Sequence, residues 1–258
     1  EEIYDRIKAP DSRLGAFVTA TGSAGTIAAG DYLRKRFPLL RVVATEALQC
    51  PTLLQNGFGG HRIEGIGDKH VPWVHNVRNT DMVSAIDDER CMRLLRLFNE
   101  PAGHAFLERQ GIAPALVEQL PLLGISGICN LVAAIKTARY YEMDGRDVIF
   151  LPMTDSAELY QSRLAEQREQ HGSYSDGQAG MAFARDLEGI ATDNLRELSF
   201  FDRKALHNLK YFTWVEQQER DVEELRQLWD PDFWTETFAQ VDEWDRLIES
   251  FNKRTGLV

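Results

Sequence analysis

Residues 16–47, AFVTATGSAGTIAAGDYLRKRFPLLRVVATEA, decide the fold. Ala16–Ala20 is a short apolar run that meets the turn Thr21-Gly22-Ser23-Ala24-Gly25-Thr26. IAAGDYLRKRF then has helical composition and a basic last turn, and Pro38 stops it. From Arg41, RVVATEA is β-branched and apolar. A strand–helix–strand unit implies parallel strands joined by a right-handed crossover, so this stretch predicts an α/β fold built on a parallel sheet.

Working outward, Asp81 to Gln119 reads as helical, with Cys91, Leu94, Leu95 and Phe98 on one face and a cap at Asp87 or Asp88. Pro101 and Gly111 divide that region. GISGICNLVAAIKTARYYEMDG opens on a glycine turn, continues as a helix, and ends at Gly145 before the buried-looking strand DVIFLPM. The core domain is therefore expected over residues 1–162. Residues 163–186 are polar and Gly/Ser-rich and read as a linker or mobile loop. Residues 187–258 read as a helical extension without strands, its Trp214, Trp229, Trp234 and Trp244 buried against the core or a partner chain.

With 258 residues and 43% hydrophobic content the chain can bury a sizeable core. Its net charge of −11 opposes a nucleic-acid partner, because phosphate backbones are bound through clustered Lys and Arg. No apolar stretch approaches the roughly 18 residues of a membrane span, and EEIYDRIK is acidic where a signal peptide is basic, so the expected location is the cytoplasm without membrane contact. Cys50, Cys91 and Cys129 are widely spaced and read as core thiols. His61, His70 and His75 share a glycine-rich region but match no metal-binding spacing, so no metal is expected.

The turn Gly22–Thr26 places unpaired backbone N–H groups at a helix start, where a phosphate is favoured, and the hydroxyls of Ser23 and Thr26 can add hydrogen bonds. A tight turn without a ligand remains the plain alternative. A dinucleotide site, with Glu46 accepting a ribose hydroxyl, is opposed by Ala24 at the second glycine position of G-x-G-x-x-G. The P-loop lysine is also absent.

Four segments in order carry a resemblance. VTATGSAGTIAAGDYLR is similar to the phosphate-binding loop of the cysteine synthase and cystathionine β-synthase group, which are fold-type II pyridoxal-phosphate enzymes. HRIEGIGDKHVP resembles that group's glycine-containing active-site segment, LLGISGICNLVAAIKTA its later glycine–serine turn and helix, and DVIFLPMTDSAELY its last core strand and ring segment. The resemblance covers about residues 14–162 and implies a three-layer fold with a parallel sheet. It implies that Gly22, Ser23, Ala24, Gly25 and Thr26 hold the phosphate of pyridoxal 5'-phosphate, that Ser156 meets the pyridine nitrogen, and that Gly65, Ile66 and Gly67 line the substrate side. It also implies an amino-acid substrate, β-replacement or β-elimination on an O-activated serine or a cysteine-like amino acid, and a homodimer.

A neutral hydroxyl at Ser156 cannot hold a ring nitrogen protonated as an aspartate would, which suits chemistry at the β-carbon. Ala24 and Ala157 stand where the group has glycine, and Ile128 where a small residue is common. The group's Schiff-base lysine, its ring-contacting asparagine and its substrate-carboxylate loop belong to a segment preceding this one. None of Lys8, Lys35, Lys69, Lys136, Lys204, Lys210 and Lys253 lies in the lysine's context, and all read as solvated. A missing N-terminal portion carrying the lysine is therefore an expected partner. The alternatives are a serine/threonine dehydratase-like ammonia-lyase and a non-catalytic binding or assembly module.

Overall fold

The computed structural model describes residues 1–256. In chain order it runs α1 (Glu2–Ile7), β1 (Arg13–Ala20), α2 (Ala28–Arg34), β2 (Arg41–Ala47), α3 (Thr52–Gln55), β3 (Met82–Ile86), α4 (Asp88–Asn99), α5 (Pro101–Arg109), α6 (Pro114–Val117), α7 (Ile125–Tyr140) and β4 (Asp147–Phe150). Beyond these follow α8 (Gln161–His171), α9 (Asp176–Phe183), β5 (Leu195–Glu197), α10 (Phe200–Lys210), α11 (Val222–Gln227), α12 (Pro231–Ala239) and α13 (Val241–Thr255). The five strands form one sheet in the order β4-β1-β2-β3-β5. β1 pairs in parallel with β2 and β4, and β2 with β3, whereas β5 is antiparallel to β3.

Side chains alternate across a strand, and here both faces are buried, as a parallel sheet requires. Ala16, Val18, Val43, Ala47, Met82 and Ile86 face one core with the apolar sides of α4 and α7. Phe17, Val42, Ala44 and Val83 face the other with Leu33 of α2, Leu40 and Leu206 of α10. Helix, sheet and helix make three layers, as expected from residues 16–47. α4 begins where Asp87 accepts the amide of Glu89, and it buries the predicted face Cys91, Leu94, Leu95 and Phe98.

Two expectations are corrected. Residues 163–186 are not a loop: α8 and α9 occupy most of them, and Leu164, Ala179 and Ala182 join the same core as β1 and α7. The Gly172 and Ser175 that suggested a linker are helix punctuation, Gly172 at positive φ ending α8 and Ser175 forming a capping box with Gln178 to start α9. Residues 187–258 contain a strand, β5, in which only Leu195 is half-buried, too short a stretch to show alternation. Leu198 and Leu206 belong to the second core, so burial is continuous past residue 162. None of the four tail tryptophans is fully buried; Trp214, Trp229 and Trp234 are half-buried, and Trp244 is exposed.

Asp81 ties three elements together at the start of β3. Its carboxylate accepts the amide of Val42 on β2 at 2.7 Å, the guanidinium of Arg34 on α2, and that of Arg203 on α10 at 3.0 Å. Removing this buried carboxylate leaves the Val42 amide without its acceptor and two guanidiniums without their counter-charge, with only carbonyl and amide oxygens to hold them. Asp81→Ala is expected to cost about 3 kcal/mol in urea unfolding, and a loss under about 1 kcal/mol would show that water replaces the carboxylate.

Candidate functional site

β1 lies in the sheet with β2 on one side and β4 on the other, and chain order reverses there. Loops leaving the carboxyl ends of β1 and β4 diverge at such a point and open a crevice, which is where parallel α/β sheets bind ligands. The loop after β1 is Thr21–Ile27, and the loop after β4 contains Pro152–Ser156. The sheet thus brings the predicted phosphate turn and Ser156 to the same end of neighbouring strands.

One side chain bridges the two strand ends. Asn130, buried on α7, accepts the amide of Ala20 at 2.7 Å through Oδ1 and donates to the carbonyl of Pro152 at 2.9 Å through Nδ2. The sequence reading did not single out Asn130, although an amide among the apolar residues of CNLVAA is a signal, since buried polar groups need partners. Gly124 at the start of α7 packs against the β4 loop and donates to the carbonyl of Asp155 at 3.0 Å. A Cβ there would meet Asp155 Oδ1 at 1.8 Å, so only glycine fits. The Tyr160 hydroxyl donates to the other Asp155 oxygen and holds that turn from the far side.

Among the described residues, the amides of Gly22, Ser23, Ala24, Gly25 and Thr26 donate to no protein acceptor. Ser23, Gly25 and Thr26 are exposed, so free donors and two hydroxyls sit at the mouth of the crevice. Ala24 holds φ 71°, a conformation glycine takes freely and alanine at a cost of about 1 kcal/mol. Its methyl is buried in the core with Phe17 and Ile27. Ala157 and Ile128, the other departures from the family pattern, likewise bury their side chains in the core. None of the three therefore fills the crevice.

The turn Gly65-Ile66-Gly67 lies against the start of the turn that follows β1, with the Gly67 amide donating to the carbonyl of Thr21 at 2.6 Å. Gly65 and Gly67 have φ of 79° and 81°, which favours glycine at both. A Cβ on Gly22 would lie 4.0 Å from both Gly65 O and Gly67 N, and one on Gly65 would meet nothing within 4 Å, so space remains beside the turn. Ser156 stands at the N-cap of the short turn Ala157–Tyr160, yet its side chain caps nothing, which leaves the hydroxyl free for a ligand.

Glu46 is 2% exposed, and its carboxylate accepts the amides of Leu53 and Leu54 at the start of α3. Burial pushes it up to about 7 against those hydrogen bonds. Committed to the backbone in this way, it offers no acceptor for a ribose, and the dinucleotide alternative loses its acidic partner. The three histidines have separate surroundings: His75 bonds to Thr80 and His70 to Thr213, while His61 packs beside Gly67.

Two lysines expected in solvent are buried. Lys136 and Lys210 are each 1% exposed. Lys136 donates to the carbonyl and carboxylate of Asp193, and Lys210 to the carbonyls of Trp73 and His75. Burial lowers both, Lys210 to about 7. Helical periodicity alone cannot distinguish a lysine whose ammonium is satisfied by carbonyls on other elements from one that reaches water.

No family model matches the chain. Over 153 residues it is 28% identical to cysteine synthase B of Campylobacter jejuni, an alignment covering 59% of this chain and 44% of that protein. Over 127 residues it is 26% identical to a cysteine synthase of Staphylococcus aureus, covering 49% and 36%. The chain thus spans less than half the length of the curated relatives it matches. A hydrogen sulfide-producing enzyme of Fusobacterium nucleatum has a similar fold, with TM-score 0.51 and 22% identity over 76% of this chain and 52% of that one. O-acetyl serine sulfhydrylase isoform 3 of Entamoeba histolytica is also similar in fold, with TM-score 0.52 and 23% identity over 71% and 48%. The chain therefore resembles the cysteine synthase group in sequence and has its α/β fold.

The Asn130 bridge sets the spacing of the crevice and is the residue to test. Asn130→Ala strands the Ala20 amide and the Pro152 carbonyl, and the expected loss is about 2–4 kcal/mol in urea unfolding with an unchanged slope. A loss below about 1 kcal/mol would mean that the strand ends hold their spacing without it.

Proposed function

We propose that this chain is the phosphate- and ring-binding portion of a pyridoxal-phosphate enzyme that performs β-replacement or β-elimination on an O-activated serine or a cysteine-like amino acid. The observation that carries the proposal is the unpaired row of amides at Gly22–Thr26, on the loop that leaves β1 where strand order reverses, with the free hydroxyl of Ser156 on the loop that leaves the neighbouring β4. In a chain of net charge −11, a phosphate dianion has to be held by local backbone dipoles, and this turn supplies them. When bound, the cofactor supplies an electron sink for charge developing at the substrate α-carbon. Gly22–Thr26 would hold its phosphate, Ser156 would meet its ring nitrogen as a neutral partner, and Gly65–Gly67 would leave room for an amino-acid substrate.

The proposal includes a second portion that carries the lysine. The sheet supports this, because its two edges differ. β5 ends one edge as a three-residue strand with two exposed charged residues, a blunt end that discourages further pairing. β4 ends the other with Val148, Ile149 and Phe150 half-buried and one backbone side unpaired, a template for another strand. A homodimer belongs to the same reading. α13 exposes Trp244, Leu247, Ile248 and Phe251 along one stripe, with Asp242 and Glu243 at its start and Lys253 and Arg254 at its end, so antiparallel pairing of two copies would set opposite charges against each other. No helix among the described residues is long and apolar enough to cross a membrane. The three free, buried cysteines suit the reducing cytoplasm we assign.

Ser156→Ala is expected to weaken cofactor binding by roughly 0.5–1.5 kcal/mol, the worth of one neutral hydrogen bond, without changing the melting temperature. Loss of fold would instead make Ser156 a structural residue. Incubating this chain with pyridoxal phosphate and reducing with borohydride should leave no lysine stoichiometrically labelled, because Lys136 and Lys210 are buried with their ammonium groups held by Asp193 and by the carbonyls of Trp73 and His75, and no lysine of the chain lies in the family's Schiff-base context. Adding the lysine-bearing portion should place the label on that portion. A single lysine labelled on this chain, read by mass spectrometry, would overturn the two-portion reading.

A further inference from the structure

Among the described residues the buried carboxylates are Glu46, Asp81, Asp88, Glu100 and Asp186. Arginine pairs with four of them: Asp81 with Arg34 and Arg203, Asp88 with Arg62, Glu100 with Arg96 and Arg168, and Asp186 with Arg90 and Arg93. Glu46 is the exception. Its partners are backbone amides at the start of α3, and no cation balances its charge. A buried carboxylate held in this way keeps its charge at a cost and readily takes a proton.

Its place in the fold gives that proton a use. Ala20 on β1 pairs with Thr45 on β2, and the Thr21 amide donates to the Thr45 carbonyl at 2.8 Å, so Glu46 lies level with Thr21, one residue before the Gly22–Thr26 turn. Its side chain lines a cavity of about 10 Å³ together with Thr21, Gly22 and Gly67. That space holds about one water, so the carboxylate and the start of the turn are separated by almost no solvent. The other titratable groups on the cavity are Asp68 and His70. The Asp68 carboxylate accepts the His70 amide at 3.2 Å and the His70 ring bonds to Thr213, so neither is paired with Glu46. α3 adds amides and no charged side chain.

Neighbouring strands are about 5 Å apart, so a dianion on the free amides of the turn repels a charged Glu46 through protein rather than through water. Protonation relieves the repulsion. A protonated carboxyl still accepts an amide through its carbonyl oxygen, and α3 keeps its anchor.

We propose that Glu46 couples proton uptake to anion binding at the Gly22–Thr26 turn: a dianion on the turn draws a proton from solvent onto the Glu46 carboxylate, and a protonated Glu46 strengthens the hold on the dianion. The two effects are one coupling seen from either side and are equal in size. The inference rests on the reading of the turn as a phosphate site and adds a regulator to it. Burial pushes Glu46 up to about 7, so the coupling operates near neutral pH.

The test is nuclear magnetic resonance of the full chain with sulfate, a dianion that does not itself titrate near neutral pH. The carboxyl carbon of Glu46 is followed through a pH titration in about 50 mM sulfate and in chloride of equal ionic strength, and its midpoint is expected to rise by about one unit in sulfate, a tenfold gain in proton affinity. Read from the amides of Gly22–Thr26, sulfate affinity should fall about fivefold between about pH 6 and about pH 8. The fall should persist in His70→Gln, which removes a neighbour that also loses charge over this range, and should shrink below about twofold in Glu46→Gln. The midpoint needs no substitution, so it decides the matter even where a variant fails to fold. Sulfate that shifts none of the Gly22–Thr26 amides overturns the reading of the turn and the coupling with it. Sulfate that shifts them overturns the coupling alone if the Glu46 midpoint stays within about 0.2 unit of its chloride value, if the pH dependence survives in Glu46→Gln, or if it vanishes in His70→Gln.

Discussion

The hydrogen bonds of Asn130 set the geometry on which the crevice depends. Parallel strands β1 and β4 are neighbours, but the loops leaving them diverge, and pairing in the sheet does not fix where those loops begin. By accepting from Ala20 and donating to Pro152, one buried amide ties both exits to α7. α7 is itself anchored on both sides, by Gly124 against Asp155 and by an apolar face in the core. The Gly22–Thr26 turn and the Ser156 turn thus hang from one rigid frame, the arrangement a positioned ligand requires.

The chain manages charge locally. Its overall balance is strongly negative, yet the turn Gly22–Thr26 offers backbone amides without protein acceptors. Buried carboxylates are each given partners: Asp81 by two arginines and an amide, Asp186 by Arg90 and Arg93, and Glu46 by two amides. Breaking any of these pairs would leave an uncompensated charge in a low-dielectric interior, which is why they constrain the packing more than their net contribution to stability suggests. The buried lysines follow the same rule with carbonyls and one carboxylate as acceptors.

The sheet is asymmetric in a way that bears on the rest of the molecule. One edge is closed by three residues of β5, and the other leaves β4 half-buried with an unpaired side. An apolar strand at an edge is normally blunted or covered. The proposed division of the site between two portions rests on that edge together with the lysine contexts of the sequence.

The sequence by itself determined the strand–turn–helix–strand unit over residues 16–47, because short apolar runs, a glycine turn and a proline stop act locally and need no distant partner. It also marked the order of the four segments that resemble the cysteine synthases, and hence the turns that meet in the crevice. It misjudged residues 163–186, because Gly172 and Ser175 are the same letters whether they end a helix or begin a linker; only the burial of Leu164, Ala179 and Ala182 distinguishes the two. β5 was illegible for a related reason: three residues cannot show a period, and Leu195–Glu197 are a strand only because the edge of β3 supplies their partners. Asn130, Lys136 and Lys210 were decided by tertiary structure alone. A polar side chain on an apolar helix face declares nothing about its role until the fold brings an amide, a carbonyl or a carboxylate from another element within hydrogen-bond reach.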